Sequence, residues 1–349
     1  MKKQGLIFTL AICVGGLYGS FLSWSVLQER INTKPYGTNT QTGEPDFFKA
    51  PLIINIIQAF FACIVGLVYS LVTTRSNPMS IFTKSDRSIA NKYFKTFFLI
   101  SITSGLSSPL GYESLKHVDY LAYLLAKSCK LIPVMLVHIV MYGTKFPAYK
   151  YAVAISVTFG VAVFTLAHSS SKSKTSITDG RTVLGMSQLI GSMLLDGLTN
   201  STQDHLFKIQ FASENKDKKI VKITGANLMC VLNLFVCVLT LAYTLTFKFD
   251  EITYTYNFMS QYPPVLANIL EFAVFGSIGQ VFVFIILEKF DSLILITATV
   301  TRKMISMILS VVLFGHHLNI TQWFGVALVF GGIAYEALVK FAQGKKKVE

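Results

Sequence analysis

Long apolar blocks recur along the chain from Gly5 to Phe341, separated by short polar breaks. A helix needs about 20 residues to cross the hydrocarbon core of a bilayer, and on that measure the blocks predict ten spans. They cover 5–28, 50–73, 94–113, 118–142, 149–168, 183–206, 223–247, 264–287, 290–314 and 320–341. The first follows Met1-Lys2-Lys3 and reaches about Leu27, too long for the apolar core of a signal peptide and without a clear small-residue cleavage site, so it reads as a span. The fourth and ninth differ from the rest because charges interrupt them.

Composition agrees with the pattern. Of 349 residues 52% are hydrophobic and 14% charged, too little polar surface to cover a soluble globule of this size, which excludes a cytosolic enzyme. A net charge of +13 invites a nucleic-acid reading, but no basic face interleaved with aromatics stands on a soluble domain. Loops and span edges on the side of the two termini carry 19 Lys and Arg against 8 on the other side, so the termini are expected in the cytosol. The five cysteines all lie in apolar segments, where packing is the simplest role and neither a lumenal disulfide nor a zinc site is expected.

Shifting the chain on itself by 172 residues aligns Leu115–Gly160 with Leu287–Gly332 without a gap, pairing Asp119 with Asp291, Lys130 with Arg302, Gly143 with Gly315 and Gly160 with Gly332. Two halves of five helices follow, and an odd number of crossings places the second half upside down relative to the first, as in secondary transporters. The expected architecture is all-α: a first half over 1–168, a lumenal linker over 169–182, a second half over 183–341 and a cytosolic basic tail over 342–349.

Four cations fall inside spans: Lys127, Lys130, Arg302 and Lys303. Facing lipid they would cost roughly 10–14 kcal/mol together, so they must point inward. Tyr123, Lys127 and Lys130 are spaced i, i+4, i+7 as one stripe of the fourth helix, and Arg302 and Lys303 sit at the matching depth of the ninth. The acids Glu29, Asp196, Asp204, Glu271 and Glu336 offer structural pairing, but Glu29, Asp204 and Glu336 are expected near helix ends, which leaves central cations for an anionic ligand with phosphate oxygens. Asp196, Asn200, Gln203 and Asp204 on the sixth helix, Asn227 and Asn233 on the seventh and Gln280 on the eighth either read the neutral part of that ligand or tie helices together. The histidines show no metal-ligand spacing, no nucleophile with its base can be assembled, and no cofactor is expected.

The stretch Gly276–His316, with Thr301-Arg302-Lys303, and the blocks Ser23–Ile31, Leu115–His138 and Leu194–Asp204, with Lys127-x-x-Lys130, resemble the nucleotide-sugar transporters of the drug/metabolite transporter superfamily. Within it they are similar to the endoplasmic-reticulum branch of yeast-like UDP-galactose transporter homologues. The resemblance implies ten helices and a central nucleotide site, with Lys127, Lys130, Arg302 and Lys303 on phosphate and Gln28 and Glu29 as weaker candidates beside Tyr123, Asn200, Asn233 and Gln280. It further implies UDP-galactose entering in exchange for UMP. By charge alone four cations suit ATP/ADP exchange better, and a non-transporting membrane scaffold is the rival from another class. Lys346 and Lys347, fourth and third from the carboxyl end, resemble a dilysine retrieval signal read by cytosolic coat proteins, which would place the protein in the endoplasmic reticulum membrane.

Overall fold

The computed structural model describes residues 2–38, 43–75, 77–129, 131–143, 145–171, 180–214, 221–290, 292–315 and 318–345. In chain order they form α1 (Lys2–Thr33), a two-stranded antiparallel ribbon of β1 (Gly37–Thr38) and β2 (Pro45–Asp46), α2 (Pro51–Thr74), α3 (Ser80–Thr83), α4 (Arg87–Ser114), α5 (Tyr120–Ser128), α6 (Leu131–Tyr142), α7 (Ala148–Ser171), α8 (Gly180–Glu214), α9 (Gly225–Phe247), α10 (Phe249–Gln261), α11 (Pro264–Lys289), α12 (Ser292–Phe314) and α13 (Ile320–Lys345). Helices are the expected answer, because a span buries its backbone hydrogen bonds within itself.

Four long pairings organise the bundle: α4 with α8, α7 with α13, α2 with α9 and α1 with α11. Several large apolar side chains of α2, among them Phe60, Val68 and Val72, are turned outward, while Ile54, Asn55 and Ser70 are buried. Ser70 donates to Asn227 of α9 at 2.7 Å and Asn55 to Thr240 at 3.4 Å. An apolar exterior over a polar helix seam is the arrangement lipid demands.

Among the described residues seven helices are long and apolar enough to cross a membrane, and eight if the bent pair α5 and α6 makes one span. The ten expected spans included α4 and α8, which have 28 and 35 residues but are not apolar enough to qualify. Their polar residues face each other: Ser192 donates to the Ser107 carbonyl at 2.6 Å, and Thr199 donates to Thr103 at 2.7 Å.

The expected fourth span, 118–142, is not one helix. α5 stops at Ser128, Cys129 leaves helical geometry, and α6 sets off at 48° to α5. Pro133 gives the reason: in a continuous helix its ring would meet the carbonyl of Cys129, four residues back. The stripe Tyr123, Lys127, Lys130 therefore does not run along one helix, and Lys130 lies outside the described residues. At its other end α6 closes on Gly143 with φ +58°, and α12 closes on Gly315 with φ +68°. A left-handed glycine after a helix satisfies its last carbonyls without a Cβ clash, and these two are the glycines that the 172-residue shift pairs.

Helices also run further than the apolar blocks. α1 continues to Thr33, α8 to Glu214 and α13 to Lys345, so Glu29, Asp204 and Glu336 are not at helix ends as expected. Polar residues extend a helix into the aqueous boundary at no cost, which hydropathy cannot see. The break over 248–263 holds α10, whose Glu251 accepts from the Leu52 backbone at the start of α2 at 2.9 Å and whose Tyr254 donates to the Phe47 carbonyl at 3.0 Å. Burial pushes the Glu251 carboxyl up, and the backbone N–H groups of Leu52 and Ile53 pull it part of the way back.

Candidate functional site

A cavity of about 400 Å³ opens between α1, α2, α4, α5, α8 and α12. Helical spacing explains its lining. Phe21, Trp24, Ser25 and Gln28 of α1 stand at i, i+3, i+4, i+7, and so do Thr299, Arg302, Lys303 and Ser306 of α12. α5 adds Tyr123, Leu124, Lys127 and Ser128, α4 adds Ser108 and Tyr112, α2 adds Gln58, and α8 adds Asp196.

α1 and α12 are held side by side at three heights. Tyr18 and Thr301 share a hydrogen bond between their hydroxyls, the Arg302 guanidinium lies over the Phe21 ring at 4.6 Å, and Ser310 donates to Glu29 at 2.5 Å. Glu29, 1% exposed, thus sits between these helices and outside the cavity lining. Gln28 lines the cavity, and its side-chain oxygen lies 3.2 Å from the Tyr120 hydroxyl.

The cations divide into two kinds. Lys127 is paired with Asp196 at 2.7 Å and donates to Ser192 at 2.6 Å, and Ser107 donates to the other Asp196 oxygen. With side chains 19% and 27% exposed, this pair lies at the cavity wall inside the protein, where attraction is screened far less than at a surface. No carboxylate of the described residues lies within ion-pair distance of Arg302. Lys303 reaches the Lys127 carbonyl at 3.5 Å, beside the open C-terminal end of α5, whose dipole favours a cation.

The structure brings Lys127, Arg302, Lys303, Gln28 and Tyr123 to one cavity. It does not bring Asn200, Asn233 or Gln280 there. Asn200 donates to the Asp196 carbonyl and Asn233 to the Met229 carbonyl, each at 2.7 Å within its own helix. Sequence reasoning missed Phe21, Trp24, Gln58, Tyr112 and Ser306. Ser306 was within reach, since it stands one turn beyond Arg302 on the same face. The aromatic residues carry no signal in an aromatic-rich chain, because their role depends on which helix faces them.

A second cavity, about 600 Å³, lies at the end of the bundle where the ribbon is, lined by Lys34, Lys49, Lys116, Glu113 and Asp119 among others. Tyr112 lines both cavities. Its hydroxyl donates to Gln58 at 3.5 Å, and beside it Tyr120 donates to the Ser25 carbonyl at 3.0 Å, so two buried tyrosines stand between the two spaces.

A bundle of apolar-faced helices around a cationic, aromatic-walled cavity has the form of a membrane carrier for a polar anionic solute. Comparison with known proteins supplies the family: residues 9–340 match the model of the UAA transporter family, and the chain belongs to it. It is 72% identical over 348 residues to the UDP-galactose transporter homolog 1 of Debaryomyces hansenii, covering 99% of this chain and 98% of that one. The proteins of the same name in Candida albicans and Saccharomyces cerevisiae are 59% and 40% identical, over 98% and 96% of this chain and 92% and 96% of theirs. One solved crystal structure superposes with a TM-score of 0.57 at 12% identity, covering 95% of this chain and 97% of its own, a likeness of fold alone.

Proposed function

We propose that the protein is a nucleotide-sugar antiporter that carries UDP-galactose in exchange for UMP. One observation carries the choice of ligand. Asp196 offsets one of the cavity cations Lys127, Arg302 and Lys303, leaving two positive charges, or three when Lys130, outside the described residues, is counted, below the four of ATP in either case. A UDP-sugar brings about two negative charges, and ATP about four. The raw count of four intramembrane cations pointed to ATP/ADP exchange, but Asp196 cancels one of them, and Glu29 adds a second buried carboxyl nearby. The relatives' printed name agrees with the UDP-galactose reading.

In this reading α4 and α8 also cross the membrane, sheltering their polar seam against each other, and α5 with α6 forms one broken span. That makes ten spans in two inverted halves with both termini cytosolic. Discontinuous helices at a midplane site are typical of carriers that alternate between two sides. Tyr112 and Tyr120 then close the path toward the ribbon end, which is the lumenal side in this reading. Retrieval to the endoplasmic reticulum rests on Lys346 and Lys347, which lie outside the described residues. Replacing both by Ser should release the protein to later compartments with transport in vitro unchanged.

The deciding experiment is uptake by proteoliposomes of labelled UDP-galactose or ATP, with and without internal UMP. Uptake of UDP-galactose stimulated by trapped UMP is expected. Preferred uptake of ATP would overturn the charge argument, and no uptake of either would favour a scaffold.

A further inference from the structure

We infer that Trp24 and Ser306 form a subsite for the hexosyl group of the substrate, one helical turn from the phosphate-binding Arg302. The inference rests on the nucleotide-sugar reading above. Two buried polar atoms with no hydrogen-bond partner belong to residues lining the same cavity: the Trp24 indole Nε1 and the Ser306 Oγ, the latter on a side chain only 3% exposed. An unpartnered buried donor costs free energy, so two of them at one cavity wall are poised for a polar ligand.

Their heights coincide. The contacts of Tyr18 with Thr301, Phe21 with Arg302 and Glu29 with Ser310 run α1 and α12 in the same direction and set Trp24 and Ser306 at one level. That level is four residues beyond Arg302, about 5–6 Å along the helix. Gln58 adds to the set: the Tyr112 hydroxyl donates to its side-chain oxygen at 3.5 Å, so its carboxamide presents its N–H donors, while Gln28 lies against the tyrosine hydroxyls. The cluster is uncharged and rich in donors, and its members come from α1, α2 and α12.

This chemistry suits a ring bearing hydroxyls all round, rather than the single polar edge of a nucleobase. Covalent structure points the same way. In a nucleoside diphosphate sugar the hexose is bonded directly to a phosphate, within one helical turn of it, whereas a ribose separates the base from the other phosphate. One face of the indole is stacked on Phe272, with ring centres 5.2 Å apart and planes 19° apart, and Phe21 meets it edge-on at 6.2 Å. Gly276 makes room for the indole N–H edge, since a Cβ there would lie 2.9 Å from Nε1.

The test uses the full-length protein in detergent, with Ser306→Ala and Trp24→Phe, which remove one donor each and keep the packing, and Arg302→Ala as the phosphate control. Affinities for UDP-galactose and for UMP are measured side by side, with thermal unfolding as a check on folding. In both donor variants UDP-galactose should bind about 3- to 10-fold more weakly while UMP stays within about 2-fold of wild type. Arg302→Ala should weaken both ligands. An equal loss of both ligands in the donor variants would assign the cluster to the nucleotide and overturn the hexosyl subsite, and unchanged UDP-galactose affinity would remove the subsite altogether. Wild-type protein that binds neither ligand would instead overturn the transport reading and this inference with it.

Discussion

The stretch around α5 and α6 and the stretch of α12 are related in sequence by one shift of 172 residues, yet they treat their charges and backbone differently. On the first, Lys127 is tied to Asp196 and the helix breaks at Cys129. On the second, Arg302 lies on Phe21 with no carboxylate of the described residues in ion-pair range, and the helix runs unbroken from Ser292 to Phe314. The shift pairs Lys127 with Thr299 and Arg302 with Lys130, so Lys127 and Arg302 stand on related stretches without being repeat partners, and their surroundings differ accordingly. On the proposed reading, Lys127 with its acid ties helices together, while Arg302 on its aromatic ring turns its donors to the ligand.

The largest expected effect concerns the backbone. Ile305 of α12 occupies the position that Pro133 holds in the other stretch. Ile305→Pro should destabilise the protein by about 3 kcal/mol, because it places proline inside an intact helix. Pro133→Ala, in the first turn of α6, should change stability by less than about 1 kcal/mol. Thermal unfolding in detergent compares the two, and equal effects would mean that the break does not depend on proline.

Next in size is the ion pair. Lys127→Ala leaves Asp196 inside the bundle without its cation and should cost about 2–3 kcal/mol of stability, somewhat below the loss for a fully buried pair. Adding Asp196→Asn should restore most of it. If the double variant is no better than the single one, Lys127 acts mainly on ligand and the contrast with α12 dissolves.

Arg302→Ala should leave the melting temperature near that of wild type while nucleotide affinity falls by about 1.5–3 kcal/mol, the worth of a charge-assisted hydrogen bond. A stability loss as large as that of Lys127→Ala would place Arg302 in the structural class as well. The smallest effect is on selectivity. Asp196→Asn removes one negative charge from the cavity and should improve ATP relative to UDP-galactose by about 1 kcal/mol, or roughly 5-fold. Competition binding reads this directly, and an unchanged ratio would mean that the Asp196 charge does not reach the ligand.

Much of this was legible in the residues. Apolar blocks located the long helices, with ends off by up to eight residues, because lipid imposes the same requirement on every span whatever its neighbours. The shifted alignment picked out Gly143 and Gly315 before either was seen in its left-handed turn. α10 was missed because a 13-residue amphipathic helix is too short and too polar to register as a span. The expectation that acids would be scarce near the cations failed for a different reason: Asp196 lies well inside an expected span, and only the packing of α8 beside α5 brings it to Lys127.

By itself the sequence determined the membrane class, the burial of Lys127, Arg302 and Lys303 within apolar segments, and the resemblance that family membership bears out. Those properties follow from local composition and from blocks of identity, which need no knowledge of what packs on what. Only the tertiary structure decided that Asp196 of α8 meets Lys127 of α5, that Phe21 of α1 lies under Arg302, and that Trp24 and Ser306 share a level of one cavity. These contacts join residues 69 to 282 positions apart, and the free energy of a charge or a polar atom inside a membrane is set by the few atoms within about 4 Å of it.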